Sequence, residues 1–126
     1  MTSLDRNNKE TMNQYKKADL FKEITATYTK HGWKLTSAIL KSQTRAEIES
    51  FDPGLLQGLE IKEAIVDALW FSRPSHESRE AWELRLLAEN QYALFETFEA
   101  DETEEERQEA RAEMEARLRE KMLSGH

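Results

Sequence analysis

IVDALWFSRPSHESREAWELRLL, residues 65–87, places Trp70 and Trp82 on either side of a short polar loop, and its reading decides the fold. Read as a helix, residues 61–72 carry Ile61, Ala64, Ile65, Ala68 and Leu69 on one stripe. Read as a strand, they alternate Ile65, Leu69 and Phe71 with Val66, Ala68 and Trp70, apolar on both faces. Periodicity alone does not separate the two, but pairing across the loop does. If the chain doubles back at His76, Val66 faces Leu86, Ala68 faces Leu84 and Trp70 faces Trp82, so one face is wholly apolar. On the other face Asp67 meets Arg85, an opposite-charge pair contributing about 0.2–1 kcal/mol. A helix offers no comparable partner, so a hairpin is expected.

A second fold-back at Glu89 and Asn90 continues the apolar face, with Leu86 opposite Ala93, Leu84 opposite Phe95 and Trp82 opposite Thr97. That register also sets Glu83 against Glu96, an unfavourable like pair that marks it as open to a shift of one residue. Upstream, Leu20, Ile24, Tyr28 and His31 share a stripe, and Lys30, His31 and Gly32 form a stop signal, which predicts a helix over 13–31. Trp33, Leu35 and Ile39 then alternate with Lys34, Thr36 and Ala38 as a strand. Thr44 and Glu47 have capping-box spacing for a short helix ending near Phe51, and Asp52, Pro53 and Gly54 make a turn that opens a loose stretch over 52–62. From Asp101 to Leu123 the chain is nearly all Glu, Arg, Ala, Met and Leu, with Glu113 and Glu115 spaced four residues before Arg117 and Arg119. A long charged helix is expected there, with a narrow stripe of Ala110, Met114, Leu118 and Met122.

The expected architecture is α+β: a three- or four-stranded antiparallel sheet covered on one face by the N-terminal helix and extended by the C-terminal one. Residues 1–12 are read as a mobile tail, 13–100 as the core domain and 101–126 as the charged helix. An all-α bundle is the competing reading, because Gly and Pro are few and residues 79–99 are rich in helix formers.

Composition narrows the function classes. The 126 residues have no Cys, which rules out disulfides, thiol catalysis and cysteine-ligated zinc. No stretch has the length of a signal peptide or membrane span, so a soluble cytoplasmic protein is the default. Net charge is -7, but it is unevenly spread. Residues 1–50 hold nine Lys/Arg against six Asp/Glu, and the remainder nine against nineteen. An acidic majority repels phosphate, which argues against nucleic acid as a partner.

The loop offers Arg73, His76 and Arg79 as a candidate anion site, since arginine forks suit phosphate and carboxylate. Charged residues are also what any exposed loop contains. Asp67 is the one acid inside an apolar stretch, and an ion pair explains it more simply than catalysis. His31 suits a helix C-terminus, and His126 is terminal. No catalytic motif, metal-ligand set or cofactor signature is present, so no enzyme activity, metal or cofactor is expected. Candidate contact residues are Trp70, Trp82, Met114, Leu118 and Met122. The expected function is a non-catalytic protein–protein interaction or adaptor protein, self-associating as a homodimer, with a protein partner of unknown identity. The alternatives are a small anion- or nucleotide-binding protein using residues 73–79, and an acidic regulator of a nucleic-acid-binding protein.

Overall fold

Residues 65–87 do turn back as a hairpin, and the all-α alternative falls with that. The computed structural model describes residues 15–124; the tail read over 1–12, the first helical positions at 13 and 14, and His126 lie outside them. In chain order the elements are α1 (Lys16–Lys30), β1 (Lys34–Leu40), α2 (Ser42–Phe51), a 3-10 turn (Pro53–Leu56), β2 (Glu60–Glu63), β3 (Ala68–Pro74), a second 3-10 turn (His76–Ser78), β4 (Glu80–Leu86), β5 (Ala93–Phe98) and α3 (Glu104–Ser124). The sheet is five-stranded in the order β2-β1-β3-β4-β5. It is mixed, because β1 and β2 run parallel. β2 overlaps the end of the stretch expected to be loose, 52–62: its residues, EIKE, include one apolar side chain and give no alternation to detect.

The β3–β4 register differs from expectation by two residues. Trp70 faces Leu84, Ser72 faces Trp82 and Ala68 faces Leu86. The tight turn has Glu77 and Ser78 at positive φ, 58° and 63°, which moves its centre one residue past His76. A two-residue shift keeps every side chain on its expected face, so the apolar pattern survives and the two indoles remain neighbours, 5.9 Å apart and edge to face. The β4–β5 register is off by one, which exchanges faces. Phe95 lies opposite Glu83, and Leu94 opposite Leu84, so the like pair of Glu83 and Glu96 is avoided.

Even-numbered residues of β3 and β4 face one way and odd-numbered residues the other, and each face has its own core. Leu69, Phe71, Ala81, Ala38 and Leu40 pack beneath Ala18, Phe21 and Ile24 of α1 and Ile48 of α2. Ala68, Trp70, Leu84, Leu86 and Ile39 pack against Met114 and Leu118 of α3. Leu35 and Ile39 end up on opposite faces because β1 slips register between Leu35 and Ser37, a bulge that rotates the strand at Thr36.

The C-terminal helix is therefore not an extension of the domain. It covers the second face of the sheet. Its apolar stripe is lengthened by arginine: Arg111 stacks on Trp82 at 4.5 Å, and Arg107 lies over Phe98 at 5.8 Å while bonding Glu80 at 2.7 Å. Residues 107, 111, 114, 118 and 122 follow helical spacing, so the cations continue the stripe that methionine and leucine begin.

The capping boxes also fall differently. At α2 the Thr44 hydroxyl bonds the Asp67 carboxylate at 2.7 Å, and Glu47 accepts the Lys17 backbone N–H of α1 at 2.8 Å. The reciprocal box forms at α3: Glu106 N–H donates to the Thr103 hydroxyl at 3.1 Å and Thr103 N–H to the Glu106 carboxylate at 2.8 Å. The expected cross-strand pair of Asp67 with Arg85 does not form. Arg85 pairs with Leu69 instead. Asp67, 3% exposed, takes Lys41 N–H at 2.8 Å and Lys17 Nζ at 3.2 Å.

If α3 is part of the core, Leu118→Ala costs about 2–5 kcal/mol in urea unfolding, the range for emptying a buried leucine site. A cost within about 0.5 kcal/mol, typical of surface changes, would contradict this packing.

Candidate functional site

Because α3 lies over β3 and β4, it leaves the β1 and β2 side of that face open. The result is a cleft of about 360 Å³ lined by Thr36, Ile39, Lys62, Trp70, Trp82, Arg111 and Glu115, among others. Each wall has a local cause. The β1 bulge puts Thr36 at the mouth, where its hydroxyl donates to the Trp70 carbonyl at 3.1 Å. The register of β3 turns Trp70 inward, and its indole N–H, which needs an acceptor once buried, donates to Glu115 at 2.8 Å.

Glu115 is the chemical centre of this cleft. Its side chain belongs to a residue 7% exposed, and its other oxygen holds Lys62 Nζ at 2.5 Å. Lys62 is itself well exposed on the edge strand. Trp82 donates to Glu80 at 3.1 Å while Arg111, tied to Glu104 at 2.7 Å, covers its ring.

The loop residues are dispersed. Arg73 donates to the His31 carbonyl at 2.9 Å and stacks over Trp33 at 4.4 Å, so it serves the C-terminal end of α1. Arg79 pairs with Glu99 at 3.0 Å and Glu77 at 3.4 Å. His76 is exposed in the turn. The two guanidinium groups thus go to different partners. Among the contact candidates, Trp70, Met114 and Leu118 are buried, while Trp82 and Met122 are half-buried against the same core. His31 sits at the α1 terminus as expected, with Nδ1 2.9 Å from the Thr27 carbonyl. Glu115, Lys62 and Arg111 were missed by sequence reasoning. The available signal was the acceptor a buried Trp70 must find, but 25 acids offer too many choices.

On the opposite face Tyr28 stacks on Phe71 at 4.1 Å and donates its hydroxyl to Glu83. Burial is the main cause that pushes the phenol above its ordinary range, followed by the hydrogen bond to Glu83 and its charge, with Arg85 pulling the other way.

Comparison with protein-family models, with curated proteins and with solved structures finds no match. Function is therefore argued from the geometry. Among the described residues no three His, Asp or Glu side chains converge as a metal-ligand set, and no helix is long and apolar enough to cross a membrane.

Two outcomes follow. Glu115→Leu, which strands the Trp70 N–H, costs about 1–3 kcal/mol in urea unfolding, whereas Glu115→Gln, which keeps an acceptor, costs less; equal costs would contradict the bond. The Tyr28 phenol ionises later folded than unfolded, so the folded state binds more protons above about pH 10 and stability falls as pH rises through that value. Tyr28→Phe lessens that fall, measured as urea midpoints across the alkaline range, and an unchanged slope would contradict the assignment.

Proposed function

We propose that the protein is a non-catalytic interaction protein that pairs with a second copy of itself through the outer edge of β5. One observation carries this reading: β5 ends the sheet with no further strand among the described residues, and Phe95 at its centre is 58% exposed. An unpaired edge is a template for another chain, and proteins blunt edges they do not use with short strands, charge or proline. The opposite edge is treated in that way, since β2 has four residues, three of them charged. The β5 edge is longer, six residues, ALFETF, with no proline and a single charge, Glu96.

The geometry also favours a register. Leu86 N–H bonds the Tyr92 carbonyl at 2.9 Å, so alternation turns the backbone groups of Leu94 and Glu96 toward β4 and those of Ala93, Phe95 and Thr97 outward. A two-fold axis at Phe95 sets Phe95 against its copy, Ala93 against Thr97 and Leu94 against Glu96. No carboxylate then faces a carboxylate, and the two sheets become continuous.

This reading moves self-association away from Met114 and Leu118, which α3 spends on its own sheet. The alternative that uses residues 73–79 for an anion is less well supported, because Arg73 and Arg79 are already engaged elsewhere.

Sedimentation equilibrium is expected to show a dimer at about 100 μM, well above a micromolar dissociation constant. Thr97→Pro deletes an outward donor without touching the β4 ladder, and Phe95→Asp deletes the apolar centre; each yields a monomer with unchanged circular dichroism. A monomeric parent protein, or a dimer that survives both substitutions, would overturn the proposal.

A further inference from the structure

Arg85 is 8% exposed on the α1 face of β4. None of the carboxylates among the described residues lies within ion-pair distance of it. Its one hydrogen bond there is a long contact of 3.5 Å from Nη1 to the Leu86 carbonyl. Arginine does not discharge at accessible pH, so Arg85 brings a full cation with no protein counter-charge to a mostly buried position, where the nitrogens that lack a hydrogen bond still reach solvent. Asp67, the acid that the sequence places opposite it, is held by Lys17, Lys41 and Thr44.

Two adjoining hollows open beside Arg85, of about 340 and 540 Å³, and both are lined by Glu23, Ile24, Arg85 and Gln91. The acids around them divide into two groups. Glu83 accepts from Tyr28, and Glu89 pairs with Lys16 at 2.7 Å. Asp19 and Glu23, one helical turn apart on α1, make no ion pair among the described residues. The hollows thus have an unpaired cation at the floor and two uncommitted carboxylates at the rim, with Leu20, Ile24, Ala88 and Ala93 as apolar wall.

Lys16 and Arg85 are outnumbered by Asp19, Glu23, Glu83 and Glu89, so a dianion such as phosphate meets a repulsive field. A ligand that pairs one carboxylate with one ammonium meets both signs in the right places. We propose that this cleft binds a small zwitterion, a free aliphatic α-amino acid, with its carboxylate taken bidentately by Arg85 and its ammonium by Glu23 and Asp19.

The test uses the full chain and L-leucine as probe, followed by chemical-shift changes in the amide spectrum. Saturable shifts centred on residues 19–24 and 85–93 are expected at about 10 mM or below, with N-acetyl-L-leucine, L-leucinamide, acetate and inorganic phosphate each weaker by about tenfold or more. Glu23→Gln alters an exposed side chain and leaves the fold intact. It is expected to weaken L-leucine but not N-acetyl-L-leucine, while Arg85→Lys, which keeps charge but loses the fork, weakens both. No shifts with L-leucine, L-valine or L-isoleucine, equal binding of the N-acetylated form, or shifts elsewhere on the molecule would overturn the proposal.

Discussion

The Asp67 carboxylate joins three parts of the chain, α1, the start of α2 and the entrance to β3, through polar bonds at one buried point. One oxygen accepts the Lys41 N–H at the entrance to α2, the other accepts the Thr44 hydroxyl inside its first turn, and Lys17 reaches both Asp67 and the Leu87 carbonyl from α1. The Asp67 carbonyl in turn takes the Leu87 N–H at 2.9 Å, which fixes the far end of β4. A charge this deeply buried is tolerable only when its lone pairs are filled, and here they are filled by groups that would otherwise be orphan donors themselves. The arrangement gathers α1 and α2 on one face of the sheet, so the other face must be covered by something else. The C-terminal helix does so.

That division explains what the sequence could and could not reveal. The hairpin was readable because the apolar residues on both sides of the turn agree in parity, and a two-residue register error does not disturb parity. The β4–β5 register was not readable to one residue, because both faces of β5 carry phenylalanine, Phe95 on one and Phe98 on the other. The role of α3 was hidden by its charge. Its helical nature is plain, but its docking depends on Arg107 and Arg111 lying flat on Phe98 and Trp82, and nothing in a run of Glu and Arg distinguishes a stacked guanidinium from a solvated one. The capping box shows the same limit. Thr44 with Glu47 and Thr103 with Glu106 have identical spacing, and only tertiary neighbours decide which pair closes on itself.

The candidate sites follow from the same constraint. Covering β3 and β4 with one helix leaves the β1 and β2 side of that face open, which creates the Trp70 and Glu115 cleft. Committing Asp67 to Lys17 leaves Arg85 alone beneath α1, which creates the second. The sheet itself ends in one blunted edge and one open one. Sequence patterning could point to neither cleft, because each is defined by a pairing that did not form or a strand that was not covered. Neither is lined by a residue of the 73–79 loop, whose arginines brace the ends of α1 and β5.

The most direct measurement is a pair of double-mutant cycles on folding stability, one combining Asp67→Asn with Lys17→Met and the other combining Asp67→Asn with Arg85→Met. The account predicts coupling above about 1 kcal/mol for the Lys17 cycle and below about 0.5 kcal/mol for the Arg85 cycle. Strong coupling to Arg85 with none to Lys17 would contradict it, restoring the cross-strand pair and removing the reason that Arg85 stands alone.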